Sequence, residues 1–213
     1  MEESKFVVLF IGRLEWRKGI GTLIHAIRLL KKEIPNIELV IIGGKIHGKQ
    51  KNIDDYKEYQ RLLAMAKEGQ IDNCVRFLGC AEHNLLPYYY SAADVFVIPS
   101  YYEPFGLVTL ESMACKAPVI ASNVGGLSAI IKDGIDGLLF EPRNPVSLSE
   151  KILKLYNSKK MSNDLATTAY AKIMENYSWK EVSKQIIDIY CRFIDCNINE
   201  PVKHIAVSSD ASL

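Results

Sequence analysis

The residues best suited to chemistry lie in two short stretches. The first, Ile11-Gly12-Arg13-Leu14-Glu15-Trp16-Arg17-Lys18-Gly19, sets the cations Arg13 and Lys18 at the two ends of a glycine-bounded turn. A departing diphosphate gains charge as its bond breaks, and a guanidinium with an ammonium can neutralise that charge without a metal ion. Alone, the same charges also suit a solvated loop. The second stretch runs from Asp94 to Ser100 and on through Tyr101-Tyr102-Glu103-Pro104-Phe105-Gly106-Leu107 to Glu111. Pro104 and Gly106 shape a tight turn, so the N–H groups of Phe105 to Val108, opening a helix, form an anion site. Glu103 precedes that helix and Glu111 lies inside it, two carboxylates suited to pairs of sugar hydroxyls. The plainer roles are helix capping for Glu103 and a buried backbone partner for Glu111.

Such loops need strands to carry them. Phe6–Ile11, Ile37–Ile42, Val75–Leu78, Val95–Ile98, Val119–Ala121 and Gly137–Phe140 are continuous apolar runs separated by amphipathic stretches. Strands covered by helices on both faces have this pattern, which predicts a doubly wound α/β fold with a parallel sheet of about six strands. Ligands then belong at the carboxyl ends of the strands. The second strand ends in Gly43-Gly44 and a basic loop, Lys45 to Lys51, where glycine allows either a close backbone approach to a ligand or simply a turn. No GxGxxG follows the first strand and no acidic residue ends the second, which disfavours a nicotinamide dehydrogenase. After Phe140 the periodicity predicts three helices, Pro145–Tyr156, Lys160–Glu175 and Trp179–Ile194, on the sheet's edge or on another domain, with starts at Asn144-Pro145 and Ser178-Trp179. Residues 1–196 form one domain on this reading. Residues 197–213 form a linker or tail, either disordered or opening a further α/β unit.

Composition narrows the function classes. The 213 residues carry a net charge of +1, which recruits neither nucleic acid nor an anionic membrane. No apolar run reaches membrane-span length and the N-terminus lacks a basic signal-peptide start, so a cytoplasmic location is expected. Five cysteines without a CxxC pair suggest reduced packing residues. The scattered histidines suggest no metal site. Tyr88-Tyr89-Tyr90 suits packing better than base stacking.

The Glu103-x7-Glu111 pattern with Gly12-Arg13-x4-Lys18-Gly19 upstream resembles the retaining glycosyltransferases built from two facing Rossmann-like domains (the GT-B fold), the group that includes sucrose synthases, sucrose-phosphate synthases, glycogen synthases and bacterial lipid mannosyltransferases. Val75-Arg76-Phe77-Leu78-Gly79, Leu86 to Asp94, Met113 to Ala121 and Val124-Gly125-Gly126 follow the same order, and the likeness spans about Lys5 to Tyr190. One departure is Ala129, where the family usually has an acidic residue. The resemblance implies the C-terminal, donor-binding half of such an enzyme. Its substrate is then a nucleotide-diphosphate sugar, with no cofactor or metal, and a hexose passes to an acceptor hydroxyl with retained configuration.

It further implies that Arg13 and Lys18 hold the diphosphate, Glu111 the ribose and Glu103 the sugar. Backbone of Phe105, Gly106 and Leu107 meets sugar and phosphate, that near Arg76 and Phe77 reads the base, and Gly12, Gly43 and Gly44 lie beside the nucleotide. Two routes keep the configuration. One is double displacement through Glu103; the other, favoured by the resemblance, is front-face substitution in which the departing phosphate accepts the acceptor's proton. The acceptor site belongs to an N-terminal Rossmann-like domain or partner chain, so the polypeptide is expected to be an excised domain or a subunit that transfers sugar hardly at all alone. A non-catalytic nucleotide-sugar-binding or structural module of a larger synthase is the alternative. An epimerase lacks the further acid/base groups it needs.

Overall fold

The computed structural model describes residues 5–46 and 52–198, and the basic run from His47 to Lys51 and the tail beyond Ile198 lie outside them. The chain divides into two compact units, Met1–Met174 and Glu175–Leu213.

Six parallel strands form one sheet in the first unit: β1 Phe6–Ile11, β2 Ile37–Ile42, β3 Val75–Gly79, β4 Val95–Ile98, β5 Val119–Ser122 and β6 Leu138–Phe140, ordered β3-β2-β1-β4-β5-β6. The alternating helices are α1 Ile20–Leu30, α2 Ile53–Glu68, α3 Leu86–Ala92, α4 Leu107–Ala114, α5 Gly125–Ile130, α6 Pro145–Asn157 and α7 Lys159–Asn176, the last running past the unit boundary. The doubly wound α/β expectation is met, with strand ends moved by a residue or so. All of β2 and β4 is buried, because side chains on both faces meet helices. Val8, Phe10, Leu39, Ile41, Val95 and Val97 share a core with Leu23, Ile24 and Ile27 of α1 and Leu148 and Ile152 of α6.

Local signals fix the helix ends. Asn144 Oδ1 accepts from the N–H groups of Val146 and Ser147, and Pro145 occupies the first turn of α6. In the second unit, Ser178 Oγ accepts from the Glu181 N–H and opens α8, Trp179–Ile198.

Strand order reverses at β1, which pairs with β2 on one side and β4 on the other. The helices that follow β1 and β4 therefore go to opposite faces, and the loops leading into them border a crevice at the carboxyl end of the sheet. The two stretches richest in candidate residues are those two loops.

Candidate functional site at the carboxyl ends of β1 and β4

Main-chain abutment brings the loops together. Gly19 ends the 3-10 turn Trp16–Lys18 with φ at 68°, and a Cβ there would stand 1.9 Å from the carbonyl oxygen of Pro99 at the end of β4. The Tyr101 N–H donates to the Arg17 carbonyl at 2.8 Å, locking the loops in register. Gly43 sits at φ 142°, and a Cβ on it would lie 1.7 Å from the Gly12 carbonyl oxygen. The glycine after β2 thus serves a close approach, and what approaches is the β1 loop itself.

Within this frame Lys18 Nζ meets Glu103 Oε2 at 2.6 Å, joining side chains 85 positions apart. Glu103 is 8% exposed, and the Ser100 hydroxyl donates a second bond to the same oxygen at 3.3 Å. A carboxylate and an ammonium so far removed from water stabilise each other strongly only if both stay paired. The Gly125-Gly126 pair explains itself against this turn. The Gly126 N–H donates to the Glu103 carbonyl at 3.0 Å, and a Cβ on Gly126 would stand 2.2 Å from the Pro104 carbonyl oxygen.

Gly106, at φ 86°, precedes α4 with no side-chain cap, and while the Thr109 N–H turns back to the Gly106 carbonyl at 2.9 Å, those of Leu107 and Val108 keep their donor capacity beside Glu103. Thr109, in that first turn, is fully buried, and its Oγ1 has no hydrogen-bond partner. Ser122 Oγ at the end of β5 is in the same condition. Sequence reasoning singled out neither. The available signal was a small hydroxyl residue at a strand end or in a first helical turn. Phe105 and Leu107 are exposed on the rim.

Glu111 lies half-buried on α4 and accepts a hydrogen bond from the Tyr90 hydroxyl at 3.0 Å. Tyr90, expected only to pack, does pack, edge-on against Phe96 with centroids 5.1 Å apart, and also donates. Burial first, then the Glu111 charge, pushes its phenol well above the usual tyrosine range, so it stays protonated.

Other expected residues stand differently. Arg13 is held by Glu15 at 2.5 Å, and the same carboxylate takes Arg17 at 2.6 Å, so the guanidinium points into its own loop. Arg76 reaches Glu38 near the opposite end of β2, while Phe77 packs edge-on against Tyr59 of α2. Their backbone lies on edge strand β3, and the structure brings neither side chain to the Lys18–Glu103 pair. Ala129 is exposed on α5. Arg143, at φ 62°, lies over the rings of Trp16 and Tyr101 at 5.3 and 4.8 Å, tying the loop after β6 to those after β1 and β4. Cys74 is buried, its thiol raised chiefly by burial, whereas Cys80 and Cys191 are exposed and do not pack as expected. Among the described residues no three His, Cys, Asp or Glu side chains gather as metal ligands.

Residues 1–172 match the family model for glycosyl transferases group 1. The chain belongs to that family. A sucrose-phosphate synthase from Thermosynechococcus elongatus is 34% identical with a TM-score of 0.80, over 92% of this chain and 47% of that one. HepE from Anabaena, solved with UDP-glucose, is 26% identical with a TM-score of 0.77, over 89% of this chain and 49% of that one. The C-terminal domain of a group 1 glycosyltransferase from Francisella tularensis is 29% identical with a TM-score of 0.73, over 82% of this chain and 87% of that domain. The chain spans about half the length of the curated relatives it matches, 46% of the first. No described helix is long and apolar enough to cross a membrane.

Proposed function

We propose that this chain is the C-terminal, donor-binding half of a retaining, metal-independent glycosyltransferase that takes a hexose from a nucleoside-diphosphate sugar. The observation that carries the reading is the 2.6 Å Lys18–Glu103 pair, buried beside the uncapped start of α4 at the strand-order reversal. Donor arrival exchanges partners. The Lys18 ammonium moves to the diphosphate, and Glu103, left acceptor-only, takes hydrogen bonds from the sugar hydroxyls. The α4 N–H groups, with the backbone of Phe105, Gly106 and Leu107, face phosphate and sugar. Glu111 accepts from the ribose, Gly12, Gly43 and Gly44 border the nucleotide, and the β3 backbone at Arg76 and Phe77 faces the base.

Arg13 joins the diphosphate by leaving Glu15, an exposed pair that costs little to open. As the glycosidic bond breaks, Lys18 and Arg13 stabilise the growing charge on the departing phosphate. That phosphate then accepts the acceptor's proton on the retained face. The acceptor site and full activity lie with an N-terminal Rossmann-like domain, and the assembled enzyme works in the cytoplasm. The UDP-glucose complex of HepE makes UDP the first nucleotide to try.

Calorimetric titration with UDP, ADP and GDP and their glucose conjugates, in chelator, tests the reading. One nucleotide is expected to bind in preference, with affinity reduced by Lys18→Ala and by Glu111→Ala. Binding that both variants leave unchanged overturns the assignment.

A further inference from the structure

We infer that Tyr90 is a positioning residue that aims the Glu111 carboxylate and so sets how strongly the site prefers ribonucleotides to nucleotides lacking the ribose hydroxyls. The inference rests on the ribose role proposed for Glu111. Tyr90 is 1% exposed on α3, fixed edge-on against Phe96 of β4, and reaches across to Glu111 Oε2 at 3.0 Å. A buried phenol must place its single O–H on a partner, and here the geometry allows Glu111. Because an ionised carboxylate only accepts, the proton in this bond comes from Tyr90.

The consequence is a carboxylate with one oxygen engaged and one open. Oε1 of Glu111 takes no hydrogen bond from the described residues. Tyr90 therefore turns a freely rotating carboxylate into an acceptor with a set direction, suited to a hydroxyl pair presented from the cleft. Without the phenol the carboxylate rotates among orientations, and the ordering falls on the ligand. Burial first, and then the charge of Glu111, pushes the Cys115 thiol at the end of α4 upward.

The test is a titration of the protein with UDP and ADP, each against its 2′,3′-dideoxy counterpart, for the parent chain, Tyr90→Phe and Glu111→Gln. The parent is expected to prefer the ribonucleotide. Tyr90→Phe is expected to cut that preference about tenfold through weaker ribonucleotide binding, with dideoxynucleotide affinity unchanged. Glu111→Gln, which leaves the packing of Tyr90 intact, is expected to lose the preference, and the double variant to lose no more. A purely structural role for Tyr90 would weaken both nucleotides alike. An undiminished preference in Tyr90→Phe overturns the inference alone. If the parent binds none of the four nucleotides, the donor-site reading and this inference fall together.

Discussion

Replacing Glu103 with glutamine is expected to strengthen binding of the bare nucleoside diphosphate. Lys18 Nζ stands 2.6 Å from Glu103 Oε2, so a diphosphate bound as proposed must draw the ammonium away from a carboxylate that stays behind. Two unit charges about 6 Å apart in an effective dielectric of about 20 interact by roughly 3 kcal/mol. The side chains are 15% and 10% exposed, so water and relaxation remove part of this. A net opposition of about 1.4 kcal/mol, or about tenfold in affinity, is a fair magnitude. Glu103→Gln keeps the shape and removes the charge, so UDP should bind about tenfold tighter. Lys18→Ala should bind it at least tenfold more weakly. Each single change leaves a buried charge alone and should cost about 2 kcal/mol of stability, below the 3–5 of a fully enclosed pair. The double change Lys18→Met, Glu103→Gln should recover most of that. Calorimetry in chelator at constant ionic strength and urea denaturation read the two effects separately. If Glu103→Gln weakened UDP as much as Lys18→Ala does, the carboxylate would be a ligand of the diphosphate's surroundings and not its competitor, and this reasoning would be wrong.

Gly43→Ala should cost more than about 3 kcal/mol in urea denaturation, since its Cβ would meet the Gly12 carbonyl oxygen at 1.7 Å. Gly134→Ala, also at positive φ but with nothing within 4 Å, should cost only about 1 kcal/mol, and equal losses would refute the abutment. Arg143→Ala should lose about 1 kcal/mol from its two ring contacts, whereas Arg143→Gly, relieved of the φ 62° strain, should lose less. Mass-resolved alkylation of the native protein near pH 8 should label Cys80 and Cys191 quickly and Cys74 only on unfolding, because burial holds that thiol protonated. Fast labelling of Cys74 would contradict its place in the core.

Strands were legible because a sheet covered on both faces writes itself as unbroken apolar runs, as in Val95–Ile98. Helix starts at Asn144 and Ser178 were legible because caps are local chemistry. Lys18 and Glu103 stood out by residue type and spacing, but their direct pairing needed two loops to meet. The hold of Glu15 on Arg13 and Arg17 was hidden because a loop has no fixed period relating position to direction. Tyr90 sat in a run of three tyrosines, two of which gave no hint that the third was buried against α4's carboxylate. The purpose of Gly43 was invisible for a different cause, since the atom it avoids belongs to a carbonyl 31 positions earlier.

The contacts at Gly19, Gly43 and Gly126 have a practical corollary for engineering. These loops are seated backbone against backbone, so their course depends little on which side chains they display. Exposed rim positions such as Tyr102, Phe105 and Leu107 therefore form a palette that a combinatorial library can recolour while the scaffold beneath keeps its shape, provided the three glycines are held constant.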